Sequence, residues 1–102
     1  MEIDDFINSG FTKHSAGFES NWAECLLQKR ILDDSGNTKY FINVYPSTVS
    51  GQLTFTARAR FYRNADSFQV DLLPEYHHTP EYIQQTMEAF WKDNNMGIDP
   101  HN

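Results

Sequence analysis

The chain has a single cysteine, Cys25, in 102 residues, so no disulfide can form within it. That excludes the cross-linked framework of small secreted domains, and stability has to come from burial. Proline and glycine are scarce, at four and five residues, which excludes collagen-like and low-complexity chains. No apolar run approaches the ~20 residues that a membrane helix needs. The N-terminal Met1-Glu2-Ile3-Asp4-Asp5 is acidic and lacks the basic and apolar regions of a secretory signal. No Asn-x-Ser/Thr acceptor site occurs. These absences lead us to expect a soluble protein of the reducing cytoplasm. Positive charge is in deficit as well: eight Lys and Arg against fourteen Asp and Glu give a net charge of −6. A field of that sign repels nucleic acid and anionic membranes at long range, so binding an anion requires a local basic patch.

What the chain does have is apolar and aromatic surface. Hydrophobic residues make up 39% and aromatics 15%, enough for a core without a metal or cross-links. With no repeat or linker, residues 1–102 read as one domain. Ile3, Phe6 and Ile7 stand at i, i+3 and i+4 and predict a short helix that stops at Gly10. Residues 11–20 show no period and are expected to form a loop. Strand character follows over about Trp22–Leu32, and Asp33-Asp34-Ser35-Gly36-Asn37 is turn chemistry. A second strand spans Tyr40–Tyr45 and should break at Pro46–Gly51.

The third strand is the clearest. Leu53, Phe55, Ala57, Ala59 and Phe61 alternate with Thr54, Thr56, Arg58, Arg60 and Tyr62. Arg63–Asp66 then turns the chain into a fourth strand, Phe68–Leu72. Thr79-Pro80-Glu81 is a helix start, with Ile83, Met87 and Phe90 as its apolar stripe and Gly97 as its stop. Residues 96–102 lack a period and are expected to be a loosely ordered tail. The expected fold is α+β, in the order α-β-β-β-β-α: a four-stranded antiparallel meander with a short N-terminal and a longer C-terminal helix on one face.

Short connections fix which faces match. Pairing Phe61 with Phe68 sets Ala59 opposite Val70 and Ala57 opposite Leu72, all inward. Pairing Val44 with Leu53 sets Ile42 opposite Phe55 and Tyr40 opposite Ala57. For strand one, Trp22, Leu26 and Leu32 compete with Cys25, Leu27 and Ile31 for the inner face. The outer face then gathers Lys39, Phe41, Tyr45, Arg58, Arg60 and Tyr62, joined by Arg30 if Leu27 and Ile31 turn inward. Half of the basic residues would share one face of an acidic protein.

Aromatic rings beside arginines are anchors of protein interfaces. They can also stack bases and neutralise phosphates. An ordinary solvated face accounts for the same residues, with Arg58 and Asp71 as a cross-strand ion pair. Other clusters have simpler explanations. His77-His78, with Glu75 near, lacks the four spaced ligands of a structural metal site. His14 and His101 lie in unpatterned segments. Cys25 sits beside Leu26 and Leu27, where cysteine acts as a small buried hydrophobe. Asp4-Asp5 starts a helix, Asp33-Asp34 builds a turn, and Glu19 with Glu24 forms no recognisable acid–base pair. No phosphate loop, serine elbow or zinc-protease motif occurs.

Neither an enzyme, a cofactor nor a metal site is therefore expected. The expected function is that of a small accessory protein, of the kind exemplified by phage-encoded inhibitors or regulatory subunits. It would bind a protein partner through the sheet face or a sheet edge. The alternatives are weak binding of single-stranded nucleic acid, and a homodimer formed through Phe41, Tyr45 and Tyr62.

Overall fold

A computed structural model of the chain describes residues 2–15, 25–73 and 78–101. Glu19, Trp22, Glu24, Glu75, His77 and the side chain of Cys25 lie outside the described residues. The elements are α1 (Ile3–Asn8), β1 (Thr12–Ser15), β2 (Cys25–Leu32), β3 (Thr38–Val49), β4 (Gln52–Arg63), β5 (Asp66–Leu72) and α2 (Pro80–Asp93). All neighbouring strands pair antiparallel in the order β1-β2-β3-β4-β5. The fold is α+β with a short and a longer helix. The sheet, however, has five strands where the sequence predicted four. The additional strand, Thr12–Ser15, has no apolar alternation of its own and exists by pairing Thr12–Ser15 with Gln28–Cys25.

The β4–β5 register is the expected one, with Phe61 opposite Phe68, Ala59 opposite Val70 and Ala57 opposite Leu72. The β3–β4 register is not. Val44 pairs with Ala57 and Ile42 with Ala59, because β3 continues through Pro46 to Val49 and the turn falls at Ser50–Gly51. Both turn residues have positive φ, 51° and 78°, the geometry that suits the right-handed twist of a tight hairpin. Pro46 is tolerated because the β2–β3 ladder has already ended at Leu27–Val44, so that among the described residues it pairs with β4 alone. The pairing moves by four residues, an even number, so the expected faces survive.

One core results. Phe6 of α1, Leu27 of β2, Ile42 and Val44 of β3, Ala57, Ala59 and Phe61 of β4, and Ile83 and Met87 of α2 are all fully buried in one cluster. Leu27 thereby settles the inner face of β2, and Leu32 lies exposed at its end. The small Ala57 and Ala59 lie on the strand that α2 packs against. Helix α2 begins as expected, with the Thr79 hydroxyl accepting from the Tyr82 N–H at 3.0 Å and Pro80 in its first turn. Its end differs: Asn95 takes the left-handed conformation (φ 53°) ahead of Gly97, as asparagine can.

Two local features depart further from simple alternation. A bulge where Ile31 pairs with Tyr40 and Leu32 with Thr38 inserts Lys39 as an extra residue. A bulge re-aims a side chain, and Lys39 turns under α2 rather than outward. Its Nζ donates to both oxygens of Glu88 at 2.7 and 3.0 Å and lies 4.0 Å from the Trp91 ring centroid. The Tyr40 hydroxyl donates to the same carboxylate at 2.8 Å. The tail is the second departure, being docked instead of loose. The last β3–β4 rung is Ile42–Ala59, and beyond it the Thr38 and Tyr62 carbonyls accept from the Asp99 and Gly97 N–H groups at 3.0 and 2.6 Å. The Trp91 indole N–H donates to the Gly97 carbonyl at 3.1 Å, and Met96 is buried.

Removing the Glu88 carboxylate strands a buried ammonium and a phenol. We expect Glu88→Ala to cost about 2–4 kcal/mol in urea unfolding, and Lys39→Met/Glu88→Leu together to cost less than that single change.

The same cluster predicts a pH profile. Burial opposes ionisation of Glu88, but the Lys39 and Tyr40 hydrogen bonds outweigh it and hold the acid below its ordinary value. Burial, with the Glu88 hydrogen bond and charge, pushes the Tyr40 phenol far up. The Glu88 contribution is complete above the unfolded value of ~4.3 and is lost as pH falls through the lower folded value. The Tyr40 contribution is complete below ~10 and is lost as pH rises above it. Urea midpoints should fall on both sides, with a shallower acid limb in Glu88→Gln and a shallower alkaline limb in Tyr40→Phe.

Candidate functional site: the outer face of the sheet

Strand alternation and register bring the outward residues of three central strands side by side. Arg30 stands opposite Phe41, Gln28 opposite Asn43, and Asn43 opposite Arg58. Across β4–β5, Arg58 faces Asp71 and Arg60 faces Gln69. Between them lies a depression of about 340 Å³. Phe41, Tyr45 and Tyr62 supply its rings, Arg58 and Arg60 its positive charge, Gln28, Asn43 and Gln69 its amides, and Asp99 its carboxylate. Of the residues singled out from the sequence, Phe41, Tyr45, Arg58, Arg60 and Tyr62 therefore come together. Arg30 borders the site beside Phe41, its Nε donating to the Thr38 hydroxyl. Lys39 does not join them, because the bulge sends it to the helix side.

The arginines are not equivalent. Arg58 makes the expected cross-strand pair, with Nε 2.8 Å and a terminal nitrogen 3.4 Å from the Asp71 oxygens. Hydrogen bonding to Asp71, and its charge, hold the guanidinium yet more firmly protonated, against a small opposing effect of desolvation. Its carbon also sits 5.7 Å from the Tyr45 ring centroid. Arg60 donates at 3.3 Å to the neutral Gln69 amide and pairs with no carboxylate among the described residues. Gln28 and Asn43 join through their side-chain amides at 2.8 Å.

The tail closes one end. The Asp99 carboxylate accepts from the His101 N–H at 2.8 Å, the local turn that aspartate favours. The His101 ring meets Tyr62 edge-on at 5.9 Å. Sequence reasoning missed Asp99 and His101 as site residues, although the Asp99-Pro100 pair was itself a turn signal. Burial, then the nearby Asp99 charge, raise the Tyr62 phenol, while Arg60 acts in the opposite direction.

His78, just before α2, takes another role. His78 is buried, within 2.9 Å of the Leu73 carbonyl and stacked on Tyr82 at 5.2 Å. It thus bridges Leu73, just past β5, and the first turn of α2, and its side chain is not exposed. His14 shares a hydrogen bond with the Thr12 hydroxyl at 3.0 Å. No three His, Cys, Asp or Glu side chains gather as metal ligands among the described residues. No helix among them is long and apolar enough to cross a membrane. The outer face can offer ring surface, guanidinium and amide donors, and carboxylate acceptors in one place.

Compared with protein families, curated proteins and solved structures, the chain finds no match.

The opposing influences on Tyr62 give a direct check of this geometry. Arg60→Gln should raise the Tyr62 phenol further and Asp99→Asn should lower it, as read by NMR titration of the tyrosine ring carbons.

Proposed function

We propose that the protein is a non-enzymatic accessory protein of the cytoplasm that docks a protein partner on the outer face of its sheet. The observation that carries this reading is the convergence of Phe41, Tyr45 and Tyr62 with Arg58 and Arg60 on one open depression. Aromatic rings offer large contact area with few torsions to freeze, and arginine adds directional donors; both concentrate at interface hot spots. The surrounding amides suit a protein backbone, which presents alternating donors and acceptors.

Single-stranded nucleic acid competes for the same rings. Its phosphates need unpaired positive charge, and this face has little. Arg58 is already matched by Asp71 and Lys39 is committed to Glu88. Arg30 and Arg60 remain against a net charge of −6. That balance favours a protein partner.

The test is affinity capture from host lysate with and without nuclease, using the wild type and Tyr45→Ala/Arg60→Glu/Tyr62→Ala. We expect a stoichiometric protein that survives nuclease and is lost with the variant, whose fold is checked by thermal melting. Capture that depends on nucleic acid, or that the variant retains, would overturn the reading.

A further inference from the structure

Every sheet ends in two strands with unsatisfied backbone groups, and soluble proteins blunt such edges with charge, proline, bulges or brevity. Most open edges here are blunted in that way. β1 has four residues and carries Lys13. The part of β2 beyond β1 carries Lys29 and Arg30 and ends in a bulge. The part of β3 beyond its pairing with β2 carries Pro46. β5 is different. It has seven residues, pairs with β4 in unbroken register, and contains no lysine, proline or bulge. Nothing among the described residues pairs with its far side. Its helix-side residues Phe68, Val70 and Leu72 are packed against the core yet only partly buried, so apolar surface continues to the edge.

The geometry points to a second copy of this chain as the occupant: β5 pairs antiparallel with β5 of the partner copy about a two-fold axis at Gln69. The sequence of β5 is complementary to itself in that register. Phe68 of each copy meets Val70 of the other on the helix side, which extends the apolar row without a break. On the outer side the Gln69 amides meet each other, and Ser67 meets the Asp71 carboxylate across the axis. Asp66 falls opposite Leu72, so no like charges are directly opposed, an arrangement that would weaken antiparallel pairing. A shift by one residue would turn Phe68 and Val70 toward polar partners on the wrong face. The product is one continuous sheet of ten strands, twice the five of a single chain, with both outer depressions on the same side. Of the residues lining the depression only Gln69 lies on β5; its rings and arginines stay open, so the dimer stands or falls independently of that reading.

The test is sedimentation of the full chain over a wide concentration range, beside Ser67→Glu and Ser67→Lys. Ser67 is exposed, and melting at low concentration checks that each variant folds. In the proposed register Ser67→Glu puts a carboxylate opposite Asp71 of the other copy, twice per dimer. Ser67→Lys puts an ammonium there. We expect the wild type to dimerise reversibly, the first change to weaken the dimer by about fivefold in Kd, and the second to tighten it by about as much. Amide exchange over Ser67–Asp71 should also slow as concentration rises. A wild type that stays monomeric at millimolar concentration overturns the proposal. So does a dimer that both variants leave unchanged or shift in the same direction, because its interface then lies elsewhere.

Discussion

The Glu88 carboxylate joins the two layers of this protein by specific bonds. It accepts from Lys39 and from Tyr40, adjacent residues of β3. Adjacent strand residues ordinarily point to opposite faces; here the bulge lets both reach the same acceptor. Lys39 in turn underlies Trp91, whose indole holds the Gly97 carbonyl. Gly97 bonds to Tyr62, and two residues later Asp99 bonds to Thr38. A charge pair on the helix side is thus linked, through one ring and a short tail, to the carboxylate at the end of the outer depression. The bulge and the tail are complementary. Where β3 and β4 stop pairing, the tail N–H groups donate to the Thr38 and Tyr62 carbonyls.

The far end of the sheet follows a different logic. Among the described residues, Tyr45–Val49 and Gln52–Thr56 pair only with each other, forming a hairpin arm ~16 Å long at ~3.3 Å per residue. A two-stranded ribbon is marginal alone. This one is braced by α1, whose Phe6 ring lies 4.7 Å from that of Phe55.

Legibility from the sequence followed the range of the interactions. The strong alternation of Leu53–Tyr62 announced β4, its inner face and its outer face, and the tight turn at Arg63–Asp66 made the β5 register calculable. Five of the seven site residues chosen on that basis line one depression. The missed features all depend on a partner distant in sequence. Thr12–Ser15 is a strand only because β2 lies beside it. Pro46 continues a strand because its pairing with β2 has already stopped at Leu27–Val44. Lys39 turns inward because Glu88, 49 residues away, receives it. The tail is docked by donating to carbonyls of β3 and β4.

By itself, then, the sequence determined the class of fold, the two faces of the sheet, the start of α2 and the grouping of aromatic and arginine residues outward. Those properties follow from periods of 2 and 3.6 residues and from local capping and turn chemistry, which neighbouring residues carry among themselves. Tertiary structure alone decided the fifth strand, the length of the arm, the destination of Lys39 and the closing of the outer site by Asp99. Each of these satisfies a backbone or charged group with a partner from another element, and no local pattern contains that partner's position.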